Sequence, residues 1–167
     1  KNRWTQDRYV REYEKLWEEY SGAKYCVMVS SGSAANTLLA RYTKDTNKSK
    51  VKNTVVTNAV GWHTSVSPWI REGFDIKFID DSLDDFIMDY NLLEEYLKLN
   101  SRKVKCVFLV SLLGFAPNIS QYASLCKKYK VELKKEGYYS WEKNLELKEK
   151  EVTEIKTAIL FPKNLNF

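Results

Sequence analysis

Histidine occurs once in the 167 residues, as His63, and cysteine three times. With a single histidine and no Cys-x-x-Cys pair, the ligand set and spacing of a protein-built zinc site are missing, and no metal is expected. Cys26, Cys106 and Cys126 are odd in number, widely spaced and set in apolar or amphipathic runs. They read as buried free thiols, and the cytoplasm is the compartment that fits them. No apolar run approaches the ~20 residues of a membrane span. Behind Lys1-Asn2-Arg3-Trp4 there is no signal-peptide core, and the absence of an initial Met leaves residues upstream open. Glycine and proline are too sparse for a flexible linker, and no internal repeat is visible. The formal charge is +5, but the basic residues are dispersed among Glu and Asp. The densest basic segment, Lys44 to Lys52, reads as a solvated loop. A nucleic-acid partner would need a clustered basic face with aromatic platforms, so that class is set aside.

What remains is one soluble-type domain with a regular alternation of elements. Tyr9, Tyr13, Leu16, Trp17 and Tyr20 recur at helical intervals and predict an amphipathic helix closed by Ser21-Gly22. Tyr25–Val29 predicts a strand, and a helix follows from about Ser33 to Tyr42. Asn53–Thr57 and Phe74–Ile79 read as strands flanking a helix that runs to about Arg71. Asn91–Leu99 reads as a helix. The nearly unbroken apolar run Val104–Val110, interrupted by Lys105, is the pattern of a strand covered on both faces. Ile119–Tyr129 is helical, and Val131-Glu132-Leu133 opens a further strand, after which Lys134-Lys135-Glu136 is too polar for the middle of a buried one. Strands alternating with helices predict a three-layer α/β/α domain with a mainly parallel sheet. In such sheets ligands bind beyond the carboxyl ends of the strands. Ser30–Asn36, Asn58–Trp62 and Ser111–Gly114 all fall at such ends.

The run Ser30-Ser31-Gly32-Ser33-Ala34-Ala35-Asn36 joins a predicted strand to a predicted helix. A helix start presents unpaired N–H groups and the positive end of the helix dipole, which together favour an anion. Gly32 admits a bulky group close to the backbone, and the serines add hydroxyl donors. Two readings stand at this level: a phosphate cup, or an ordinary serine-capped helix.

The segment Glu14 to Ala35, continued by Thr57-Asn58-Ala59-Val60-Gly61-Trp62-His63-Thr64-Ser65-Val66-Ser67-Pro68, by Phe78-Ile79-Asp80 and by Val110-Ser111-Leu112-Leu113-Gly114, resembles the DegT/StrS family of sugar aminotransferases. The piece from Asn58 to Pro68 is especially similar to the branch that includes sugar 3-dehydratases. The resemblance implies the fold of aspartate aminotransferase, with pyridoxal 5'-phosphate (PLP) as cofactor. It implies a nucleotide-linked keto sugar as substrate, an amino-acid donor and a homodimer. It gives Gly32, Ser33 and Ala34 the cofactor phosphate, Trp62 a place stacked on the pyridine ring, and Ser111 the position where many relatives carry His. It assigns no catalytic position to His63. Without it, Trp62 reads as a core aromatic at a strand end.

Two further residues are implied by the same likeness. Glu136 stands where the family has the Asp that pairs with the pyridine nitrogen and keeps the ring an electron sink. Lys163, in Leu160-Phe161-Pro162-Lys163-Asn164-Leu165, matches with one residue missing the segment of the Schiff-base lysine, which also moves protons at the substrate carbon. The expected division is residues 1–133 as the N-terminal part of a PLP-binding large domain, with 134–167 as its divergent continuation, cut short relative to the family's full length. Transamination is the first expectation. Dehydration is the second, because that branch replaces the lysine with His. A shortened, non-catalytic relative that binds a phosphate-bearing ligand or a protein is the third.

Overall fold

The computed structural model describes residues 7–135, which fall into two units that divide after Gly32. In the first unit, helix α1 (Arg8–Ser21) begins where the Asp7 carboxylate accepts the Arg8 N–H and ends at Gly22, whose φ of 70° is the left-handed turn-off that glycine adopts without strain. Trp17 stacks on Tyr13 and lies tilted against Tyr20, with ring centroids 6.2 and 5.2 Å away.

The expected strand at Tyr25–Val29 is not formed; only Cys26 makes an isolated bridge. The reason is visible in its donors. The Cys26 N–H goes to the Glu18 carboxylate at 2.9 Å and the Met28 N–H to that of Glu14 at 2.8 Å. Alternate N–H groups of an extended chain point to one side and repeat every ~6.8 Å, close to the ~6 Å rise of four helical residues. Carboxylates one turn apart on α1 thus accept from two N–H groups on one edge of this segment. Burial, reinforced by the charges of Glu14 and Glu18, pushes the Cys26 thiol up to about 11.

The second unit is built on a four-stranded, wholly parallel sheet in the order β2-β1-β3-β4: β1 (Thr54–Asn58), β2 (Asp75–Ile79), β3 (Val104–Leu109) and β4 (Glu132–Lys135). Helices α2 (Gly32–Asp45) and α3 (His63–Arg71) serve one face, where Ala40, Val55, Trp69, Phe74, Cys106 and Phe108 form a core. Helices α4 (Tyr90–Asn100) and α5 (Ile119–Lys128) serve the other, where Leu93, Leu97, Val107, Tyr122 and Leu125 pack on the sheet. The three-layer α/β/α arrangement with a parallel sheet is the one that the alternation predicted. All six residues of β3 are buried, as its apolar run requires of a strand covered on both sides. The three thiols are free and buried, as expected.

The polar end of the sheet also departs from the expectation. Lys134 and Lys135 lie inside β4, which extends beyond the expected limit of regular structure. The sheet tolerates Lys134 because its charge is met. Thr54 pairs with Val104 and Val55 with Cys106, so Lys105 is the extra residue of a bulge in β3. Its ammonium, on a side chain only 9% exposed, reaches Glu132 at 2.5 Å; the equally covered Lys134 reaches the same carboxylate at 3.4 Å and lies over the Tyr42 ring. Burial works to raise the Glu132 carboxyl, but the hydrogen bonds and charges of Lys105 and Lys134 outweigh it and hold it below the ordinary value. A depressed carboxylate stabilises the fold above its ordinary pKa, and that contribution fades as pH falls through the lower folded value. Glu132→Gln leaves two covered ammonium groups without a counter-charge. The expected loss is about 1–3 kcal/mol, below the figure for a fully buried pair because Glu132 is half-exposed. Urea denaturation at neutral pH checks it; an unchanged midpoint would show that water already neutralises the lysines.

Candidate functional site

The exits of β1 and β3 diverge. From β1 the chain turns through α3 to β2, and from β3 it turns the opposite way through α5 to β4. The divide between the carboxyl ends of β1 and β3 is therefore the topological switch point, where a crevice opens in this class of sheet. Side-chain hydrogen bonds tie the chain segments around it together.

Asn58, 4% exposed, closes β1. Its amide oxygen accepts the Val110 N–H just past β3 at 3.0 Å, and its amide nitrogen donates to Asp81 just past β2. The second oxygen of Asp81 accepts the Val60 N–H at 2.8 Å. Burial pushes the Asp81 carboxyl above its ordinary value; the hydrogen bonds from Val60 and Asn58 work against that, while the neighbouring charges of Asp80 and Asp85 add to it. Thr57 donates to the Phe108 carbonyl at 2.9 Å, so two side chains continue the β1–β3 ladder where its backbone bonds stop.

A second tie joins two helix starts. Pro68 lies inside α3 and has no N–H to give the Thr64 carbonyl four residues earlier. The amide of Asn36, a residue 2% exposed in the second turn of α2, donates to that carbonyl at 3.4 Å. The beginning of α2 is thereby set beside the beginning of α3.

These ties place the residues that the sequence singled out. Gly32 opens α2, Ser33 and Ala34 follow in its first turn, and that turn holds no acidic residue. Gly32 and Ser33 are exposed, and among the described residues a Cβ on Gly32 would meet no atom within 4 Å. Trp62 is the N-cap residue of α3 and 69% exposed, which rules out the core-aromatic alternative. His63 beside it is also exposed, its ring 5.5 Å from the Trp62 ring. The Ser111 hydroxyl is buried and finds no hydrogen-bond partner among the described residues. An orphaned buried hydroxyl, an exposed helix start without an acid and an exposed flat indole fit a group that carries both a phosphate and an aromatic ring. Leu113, in the turn after Ser111, is held at a φ of 53° and is 81% exposed, a strained conformation of the kind that clusters at ligand sites. Glu136 and Lys163 lie outside the described residues. Among those described, no group of three or more His, Cys, Asp or Glu is disposed to hold a metal ion, and no helix is long and apolar enough to cross a membrane.

The profile of the DegT/DnrJ/EryC1/StrS aminotransferase family matches residues 1–136. The chain belongs to this family. The GDP-4-keto-6-deoxy-D-mannose 3-dehydratase of Yersinia pseudotuberculosis is 36% identical over 115 residues, which cover 68% of this chain and 28% of the relative. The UDP-4-amino-4,6-dideoxy-N-acetyl-beta-L-altrosamine transaminase of Campylobacter jejuni is 26% identical over 129 residues, covering 77% and 33%. Among solved structures, that of the Escherichia coli GDP-4-keto-6-deoxy-D-mannose-3-dehydratase with bound hydrated PLP matches with a TM-score of 0.70 at 30% identity, over 78% of this chain and 33% of the other. The chain thus spans roughly a third of the length of such relatives.

Sequence reasoning gave no role to Asn36, Asn58 or Asp81. Pro68 was the signal for the first, since a proline deep in a helical pattern frees a carbonyl that a nearby polar side chain must satisfy. For the other two the signal was a pair of amide and carboxylate residues ending adjacent apolar runs.

Proposed function

We propose that this chain supplies the cofactor-anchoring part of a PLP-dependent enzyme acting on a nucleotide-linked 4-keto-deoxy sugar. The observation that carries the reading is the convergence of the α2 start, Trp62 and the orphaned Ser111 hydroxyl at the switch point. In this reading the backbone N–H groups of Gly32 and Ser33, with Ala34 beside them, hold the phosphate, the Trp62 indole covers one face of the ring, and Ser111 gives its hydroxyl a partner. Bound PLP supplies an electron sink for the sugar chemistry. Glu136 would hold a proton at the ring nitrogen.

Removal of the sugar 3-hydroxyl is the branch supported by similarity, at 36% identity to a 3-dehydratase against 26% to a transaminase. Transamination from an amino-acid donor is supported by a different observation, the Leu160–Leu165 segment with Lys163 in the place of a Schiff-base lysine. One experiment separates the readings. The purified chain is mixed with PLP, reduced with borohydride and mapped by mass spectrometry. Modification concentrated at Lys163 supports transamination. PLP retained on dialysis without modification at Lys163 supports dehydration. No retention overturns both for this chain and leaves a binding module of another kind.

Trp62→Ala tests the stacking role. Loss of one aromatic face is worth ~0.5–1.5 kcal/mol, so PLP binding is expected to weaken by about threefold to tenfold. Because Trp62 is mostly exposed, the melting temperature should not move. Equal PLP affinity in parent and variant removes Trp62 from the site.

A further inference from the structure

We propose that Asn58 and Asp81 are positioning residues, a bracket of a buried amide and a partly exposed carboxylate that fixes the Trp62 loop against the exit of β3. Neither side chain is needed to hold the strands together, because β1 already pairs along its whole length with β2. What they add lies beyond the strands. The Ala59 N–H still reaches the Ile79 carbonyl at 2.9 Å, so the β1 exit leans towards β2 and leaves β3. Asn58 spans the gap this opens, with its oxygen on the Val110 N–H and its nitrogen on Asp81. Asp81 passes the constraint on to the Val60 N–H, two residues before Trp62.

Val110 immediately precedes Ser111. The bracket therefore connects, through three hydrogen bonds, the backbone beside the exposed indole and the backbone beside the orphaned hydroxyl. The donors and acceptors admit one arrangement. Val110 and Val60 can only donate through N–H, so the Asn58 oxygen must face β3, its nitrogen must face Asp81, and Asp81 must accept twice. With all three bonds made, the loop between β1 and α3 has little freedom to swing. The bracket itself is independent of the cofactor, while its value to PLP binding rests on the function proposed above.

The arrangement has a property that a merely space-filling pair would lack: it can be inverted. In Asn58→Asp alone, two carboxylates face each other. In Asp81→Asn alone, an amide nitrogen must face either the Val60 N–H or the Asn58 amide nitrogen, and one bond is lost. In the double variant Asn58→Asp/Asp81→Asn, the new carboxylate accepts from Val110 and from the new amide, whose oxygen accepts from Val60, and all three bonds return.

The test uses the full chain and reads hydrogen exchange at the Val60 and Val110 amides, with Val56 and Val107 in the strands as internal controls. Each single variant is expected to accelerate exchange at Val60 by about tenfold, the loss of one hydrogen bond, while the controls stay unchanged. The inverted double variant is expected to return it to within about twofold of the parent. PLP affinity is measured in parallel and should follow the same pattern of loss and rescue. The proposal is overturned if the double variant exchanges as fast as the singles, or if the singles exchange no faster than the parent. It is also overturned if Val56 and Val107 accelerate equally, which would mark a general loosening of the sheet. If the parent binds no PLP, the function proposed above falls, and the bracket is judged on exchange alone. If PLP binds and its affinity ignores the bracket while Val60 exchange responds, the positioning role towards the cofactor falls and the PLP reading stands.

Discussion

Trp69→Ala is expected to remove the cooperative unfolding transition of the unit that begins at Ser33. Trp69 is fully buried, with its ring 5.7 Å from that of Phe74 and 5.2 Å from that of Phe108. It is the largest side chain between α3 and the sheet, and Ala40, Val55 and Cys106 pack in the same cluster. Truncating such a residue costs about 3–5 kcal/mol, because the removed ring leaves a cavity that neighbours on a sheet cannot collapse into. A domain of this size holds ~5–15 kcal/mol in all, so the variant sits at the edge of stability or beyond it. Trp69→Phe is the informative companion. It keeps an aromatic ring against Phe74 and Phe108 and removes an indole N–H that finds no partner among the described residues. The relief of an unmet donor offsets part of the lost volume, so a cost of about 1–2 kcal/mol is expected. Urea denaturation followed by circular dichroism checks both; an alanine variant with the parent's midpoint would mean that this core is not what holds the unit together.

Trp62 and Trp69 also show where reading the sequence stops. They are two turns apart in one apolar-looking segment, and helical periodicity alone puts them on the same face. Trp62 is instead the cap residue, outside the helix and largely in solvent, while Trp69 is sealed in the core. The periodicity of 3.6 and the parallel-strand pattern made most elements of the second unit legible, because burial on one or both faces leaves a trace in the residues themselves. Tyr25–Val29 carried the same trace and did not become a strand. What decides a strand is who accepts its N–H groups, and those of Cys26 and Met28 go to Glu18 and Glu14. Lys134 failed in the other direction. A lysine in a strand reads as an error until Glu132 on the same strand is seen to meet its charge and that of Lys105. At the site, the anion-favouring turn was legible because helix-start chemistry is local. The Asn58–Asp81 bracket was not, since it depends on three strand ends that only the sheet order brings together.

Ser33→Asp is expected to abolish measurable PLP binding while leaving the fold as stable as before or slightly more so. The two effects have opposite sign for one reason. The start of α2 carries the positive end of a helix dipole, and its first turn has no acidic residue. A carboxylate there gains ~0.3–1 kcal/mol from the dipole and from N–H groups, which raises the melting temperature. The same carboxylate occupies the place and the charge that the cofactor phosphate would take. Phosphate monoesters carry a charge of about −1.5 to −2 at neutral pH. A like charge ~4 Å away costs ~4 kcal/mol at the effective dielectric of a protein surface, and solvent lowers that for an exposed position such as Ser33. A loss of roughly a hundredfold or more in affinity follows. Ser33→Ala separates charge from hydroxyl. It keeps every backbone N–H of the turn and removes one side-chain donor, so a loss of only about fivefold is expected. Equilibrium dialysis against PLP and a melting curve, run on the same three proteins, decide between the two readings of the Ser30–Asn36 turn. An ordinary capped helix gains stability from the aspartate and has no affinity to lose. A phosphate anchor gains the same stability and loses its ligand.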